Sequence, residues 1–227
     1  MGISFDNGEE SLSASVYADL RQRIITGHIA PNHELSTRSL ANELGVSQTP
    51  VRDALSRLAA EGAVSIRSKR RIRIPEMTRE RFDDLLKCRL LLEPEAAELA
   101  LPNLTDALLQ RLRAADAAVD AAIANGDTGA YVHANYDFHF ALYRAQPQKT
   151  LTQLIETLWL QFGPYMRVVY GRMPGAGIND SHQAAIRAIE AHDAAALRDA
   201  IARDISDGMG LIGRPGLAPA GAIGGSV

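Results

Sequence analysis

The chain has 227 residues, of which 46% are hydrophobic and 22% charged, and its net charge is −3. That balance belongs to ordinary globular domains, and no run of about 18 apolar residues exists, which excludes a bilayer-spanning helix. The single cysteine, Cys88, excludes an internal disulfide and fits a reducing compartment; it is expected to be a small core residue.

Residues 1–11 are polar and acidic (Asp6, Glu9, Glu10) and lack the basic and apolar blocks of a signal peptide. They are expected to form a flexible N-terminus on a cytoplasmic protein with no membrane partner. Charge is unevenly spread beyond them. Residues 12–78 hold ten Lys or Arg against six Asp or Glu, whereas from Arg79 onward fourteen face eighteen. A basic first third joined to an acidic remainder suggests a DNA-binding module fused to a second domain.

Val16, Leu20, Ile24 and Ile25 recur at helical spacing before Gly27 and predict a helix over 13–26. The loop Ile29-Ala30-Pro31-Asn32 has turn chemistry. A second helix starts near Ser36 or Thr37, places Leu40, Ala41 and Leu44 on one face, and stops at Gly45. Ser47 then caps a third, Gln48 to Ala60, with Val51, Leu55 and Leu58 buried. Two helices joined by Gly45-Val46-Ser47 make a helix-turn-helix. Residues 63–66 and 71–74 alternate like two strands around the basic tip Arg67-Ser68-Lys69-Arg70, a hairpin wing.

In such a motif the start of the second helix lies in the major groove of double-stranded operator DNA. Here Gln48 suits adenine and Arg52 suits guanine or a phosphate. Ser47, Thr49 and Pro50 share that helix start, where hydroxyls and backbone N–H groups suit phosphate oxygens. Arg38 can reach the backbone or a base edge, and Lys69, Arg70 and Arg71 a narrowed minor groove. An ordinary capped helical hairpin with a solvated basic loop is the alternative.

Residues 12–76 resemble the winged-helix domain of the GntR family of bacterial regulators. The resemblance rests on Pro31-Asn32-His33-Glu34-Leu35, Leu40-Ala41, Leu44-Gly45-Val46-Ser47, Thr49-Pro50-Val51-Arg52, Ala54-Leu55, Leu58 and Glu61-Gly62. Asn32 and Arg71 stand where the family usually has Gly.

Past Pro75 the pattern is helix after helix: Thr78 to Leu101, Thr105 to Asn125, Thr128 to Ala145, Lys149 to Val169, Asn179 to Ala191 and Asp193 to Leu211. Pro94 should kink or divide the first of these, and Gly163-Pro164 should bend the fourth. The expected architecture is therefore mainly α. A winged helix-turn-helix of three helices and a β-hairpin (12–76) precedes a six-helix antiparallel bundle for effector binding and dimerisation (77–211). A disordered tail follows (212–227).

Arg89-Leu90-Leu91-Leu92-Glu93 and Asn135-Tyr136-Asp137-Phe138-His139 make the second part similar to the all-helical effector-binding FCD domain of the FadR subfamily, in its VanR-like branch. By spacing alone, Asn135 and His139 share a helix face, and His182 and Asp204 fall at similar heights on a helical hairpin. Two such pairs could surround zinc or nickel. The resemblance implies a metal held by Asp, His, His and His; this chain has Asn135 for the first and Asp204 for the last. The alternative is two satisfied core histidines. Open positions on such a metal would suit a small organic acid, with Arg89 as a fork for its carboxylate or, alternatively, in a surface ion pair. His133 and Asp137 face away from His139. His28, His33 and His192 sit at turns, and Trp159, Phe162, Tyr165 and Tyr170 are expected as core or pocket wall.

Together these residues predict a homodimeric DNA-binding regulator, a repressor by the resemblance, and not an enzyme. A DNA-binding dimer with a purely structural C-terminal domain is the main rival. A metal-dependent hydrolase built on His139, His182 and Asp204 is the other, although the chain has no His-Glu-x-x-His segment and no nucleophile motif.

Overall fold

A computed structural model of the chain describes residues 7–31, 34–68, 71–172 and 180–213. They divide into two compact units. The first comprises the described residues up to Met77 together with Trp159–Pro164, and the second Thr78–Leu158 and the described residues from Tyr165 onward.

The first unit opens with α1 (Asn7–Ile25), which buries Val16, Leu20, Ile24 and Ile25. It starts six residues ahead of the expected helix, inside the stretch expected to be flexible. The apolar period begins only at Val16, so it does not announce the helix's first turns. The helix-turn-helix follows as α2 (Thr37–Leu44) and α3 (Gln48–Ala60). Ser36 caps α2 by accepting from the Ser39 N–H at 3.0 Å. Gly45, at φ +67°, turns the chain left-handed, and the Val46 N–H returns to the Ala41 carbonyl at 3.0 Å. Val51, Ala54, Leu55 and Leu58 of α3 are buried, and α3 packs along α1.

The wing is a three-stranded sheet rather than a bare hairpin. Strand β3 (Arg71–Arg73) lies between β1 (Glu34–Leu35) and β2 (Ser65–Ser68), antiparallel to both. Leu35 and Ile72 are paired and buried. A two-residue strand is too short to show an alternating pattern, which is why the sequence does not announce β1.

The second unit is helical. It runs through α4 (Arg79–Ala100), α5 (Asp106–Asn125), α6 (Thr128–Tyr143), α7 (Lys149–Phe162), α8 (Met166–Arg172), α9 (Asp180–Glu190) and α10 (Ala194–Gly213). The last residues of α7 belong to the first unit. Thr78, Thr105 and Asp127 cap α4, α5 and α6 with side-chain oxygens. The expected fourth helix is broken at Gly163–Tyr165 by a 3₁₀ turn, giving α7 and α8. Pro94 does not divide α4, which runs unbroken past it with the proline ring buried. α4 packs along α10 and against α6, α5 along α6 and against α9, and α9 along α10. Cys88 is half-buried rather than fully in the core. α10 reaches Gly213, and the rest of the expected tail lies outside the described residues. No helix among the described residues is long and apolar enough to cross a membrane.

Candidate functional site

Two groups of side chains carry chemistry. The first is at the start of α3. Ser47 occupies the N-cap position in extended backbone, yet its hydroxyl makes no capping bond. Ser47, Gln48, Thr49 and Arg52 are exposed, as is Arg38 on α2. Pro50 departs from expectation, because it is buried with Val51, Ala54 and Leu58 and its ring cannot meet a base edge. It instead occupies the third position of the helix, where a missing N–H leaves no bond unmade.

The basic residues of this unit fall into two sets. Arg57 lies over the Tyr17 ring at 3.8 Å, and the Tyr17 hydroxyl donates to Glu61 at 2.6 Å. Arg73 pairs with Glu34 at 2.6 Å, and Arg23 with Asp19 at 2.7 Å and with Glu43. Arg38, Arg52 and Arg71 are exposed and, among the described residues, have no ion pair. The second set surrounds the start of α3 and the wing, which leaves those cations available to an external polyanion. Lys69 and Arg70 lie outside the described residues, as do Asn32 and His33.

The second group lies inside the helical unit. His139 on α6, His182 on α9 and Asp204 on α10 place one ligand atom each within 4.8 Å of one another. His139 Nε2 is 3.1 Å from Asp204 Oδ2 and 3.4 Å from His182 Nε2, and His182 Nε2 is 3.8 Å from Asp204 Oδ1. Two ligands on a tetrahedral zinc at its usual bond lengths stand about 3.3 Å apart. The donor set, two imidazoles and a carboxylate, is one that zinc and nickel accept. Donor chemistry and spacing therefore both fit a divalent transition metal. Asn135 is buried one turn before His139 on α6.

Electrostatics favours the ligand forms. Burial pushes His139 below its ordinary value, outweighing the opposing pull of Asp204, so its imidazole is neutral. Burial pushes the Asp204 carboxyl up, but the adjoining His139 ring and the charge of Arg89 prevail and carry it below its ordinary value. The His182 ring stacks on Phe138 with centroids 3.8 Å apart, which fixes its plane.

Arg89 is not in the surface ion pair given as its alternative. Its ion pair is buried: Nε donates to Glu93 Oε1 at 2.5 Å and Nη2 to Oε2 at 3.3 Å. A ligand carboxylate would have to share the guanidinium with Glu93. His133 and Asp137 are exposed, away from His139 as expected. Trp159, Phe162 and Tyr165 are buried and Tyr170 is half-buried.

Three residues at the site escaped the sequence reading: Glu93, Tyr143 and Asp116. The Tyr143 hydroxyl lies 3.1 Å from His139 Nδ1 and 2.9 Å from Glu93 Oε2, and Asp116 Oδ1 lies 3.3 Å from His182 Nδ1. Each left a signal. Glu93 is four residues after Arg89, Tyr143 is four after His139, and Asp116 interrupts the buried stripe Leu112, Val119 and Ala122 of α5.

Residues 12–74 match the model of the gntR family of bacterial regulatory proteins, and residues 84–207 match that of the FCD domain. The chain is 29% identical to the HTH-type transcriptional regulator McbR of Escherichia coli (strain K12) over 205 residues, 89% of this chain and 93% of McbR. It is 31% identical to the HTH-type transcriptional regulator LutR of Bacillus subtilis (strain 168) over 148 residues, 58% of this chain and 67% of LutR. The solved structure of E. coli McbR/YncC superposes with a TM-score of 0.81 at 28% identity, over 88% of this chain and 96% of that one.

Proposed function

The chain belongs to the gntR family of bacterial regulatory proteins and carries an FCD domain, and on that premise we propose that it binds operator DNA as a homodimer under the control of a small carboxylate. Its family and named relatives are transcriptional regulators, not enzymes.

The proposal has a DNA half and an effector half. Arg38, Ser47, Gln48, Thr49, Arg52 and Arg71 would meet the duplex, Gln48 and Arg52 at base edges and the others chiefly at phosphates. Lys69 and Arg70, outside the described residues, are added to these contacts on the sequence alone. In the second unit, His139, His182 and Asp204, with Asn135 beside them, would hold zinc or nickel. The metal supplies a Lewis-acid point for an anionic oxygen. The protein supplies hydrogen-bonded surroundings, and Arg89 a nearby positive charge. The observation that carries the effector half is the convergence of two buried imidazole nitrogens and one half-buried carboxylate. A ligand there alters transcription only if it prefers one arrangement of the dimer, and in a repressor it would favour the arrangement that releases DNA.

A thermal-shift panel of carboxylates and sugar acids, with and without a chelator, tests the effector half. A selective acid should raise the melting temperature by mass action, and the chelator should cancel the rise. If no acid stabilises the zinc-loaded chain, the helical unit serves dimerisation alone.

A further inference from the structure

We infer that Tyr143, backed by Glu93 and Arg89, and Asp116 are positioning residues: they take the Nδ1 hydrogens of His139 and His182 and so make Nε2 of each ring the metal-binding atom. This rests on the metal reading above and adds how that site is aimed.

A count of hydrogens carries the first arm. A tyrosine hydroxyl has a single hydrogen. Tyr143 donates it to Glu93 Oε2 at 2.9 Å. The Glu93 carboxylate is fully buried, is gripped by both Nε and Nη2 of Arg89, and has no hydrogen to return. The phenol oxygen can then only accept from its other neighbour, His139 Nδ1, at 3.1 Å. His139 Nδ1 therefore bears a hydrogen, and Nε2 is left for the shared point.

The second arm is shorter. Asp116 is buried on α5, and its Oδ1 faces His182 Nδ1 at 3.3 Å. Among the described residues Oδ1 makes no hydrogen bond, a buried carboxylate oxygen only accepts, and the donor within reach is Nδ1, so the metal-bound ring would carry its hydrogen there. Gln183 donates to the other oxygen, Oδ2, and holds the carboxylate in place. The two Nε2 atoms consequently face each other across 3.4 Å, with Asp204 beside both. Outer partners of this kind raise ligand basicity, and losing one typically lowers metal affinity about 10–100-fold. The arms differ in kind, since one is a charged carboxylate and the other a neutral phenol relaying a buried ion pair.

The test uses the full chain, stripped with a chelator and titrated with zinc against a chromophoric competitor. Tyr143→Phe should weaken zinc binding about 10–100-fold, and Asp116→Ala by a similar factor. Asp116→Asn, which keeps an oxygen toward Nδ1, should weaken it less than Asp116→Ala. The ring-nitrogen readout below separates this from a merely structural role, and Asp116→Asn against wild type carries the test if Tyr143→Phe fails to fold. In the ¹⁵N-labelled, zinc-loaded wild type, His139 and His182 should both appear as Nδ1–H rings with zinc on Nε2. Zinc on Nδ1 of either ring, or unchanged affinity in both Tyr143→Phe and Asp116→Ala, overturns the inference. If the wild type binds no zinc at all, the metal reading itself fails and the inference falls with it.

Discussion

Replacing His139 by Ala is expected to weaken zinc binding by more than about 100-fold, since deleting a ligand should cost at least as much as deleting one of its outer partners. The ring is buried, and it gives the site one of three converging donor atoms. Its removal leaves His182 and Asp204, with the weaker amide of Asn135, as the remaining candidate ligands. Any thermal stabilisation by zinc, and by an acid bound on it, should vanish in the same variant. His133→Ala is the control. It lies on the exposed side of the same helix, and its zinc affinity should match wild type.

The second large effect is on DNA. Arg52→Ala should lower affinity for the specific site by about 1–3 kcal/mol, or roughly 5–150-fold, as measured by fluorescence anisotropy on a selected duplex. The guanidinium is exposed and, among the described residues, has no ion pair, so the melting temperature should stay within about a degree of wild type. Affinity for unrelated DNA should fall less, because phosphate contacts made by other cations persist. Arg57→Ala offers a contrast. Its guanidinium lies over Tyr17, so its loss should lower stability of the first unit rather than discriminate between sequences.

The helix-turn-helix was legible because its signals are local. Ser36 caps one helix, Gly45 ends it with a left-handed residue, and the apolar stripe of α3 restarts three residues later. The burial of Pro50 was legible in principle, since positions 50, 54 and 58 lie on one helical stripe; its proximity to Gln48 in sequence obscured this. The metal cluster was half visible. A one-turn spacing named His139 and the hairpin symmetry of α9 and α10 named His182 with Asp204. Asp116 and Glu93 could not be placed, because their contacts depend on how α5 packs beside α9 and α4 beside α6. Such pairings join residues 50 or more positions apart and leave no periodic trace. Strand β1 escaped for the opposite reason, being only two residues long.

The central claim is that an acid bound in the helical unit governs how the winged unit holds DNA. The most direct measurement is the affinity of the full chain for a duplex selected from random sequence, titrated with the acid found by thermal shift. The account predicts a change of about 5–150-fold with the acid, abolished by chelation and absent in His139→Ala. Equal affinity for that duplex with and without the acid, or a response that survives chelation and the loss of His139, would contradict it.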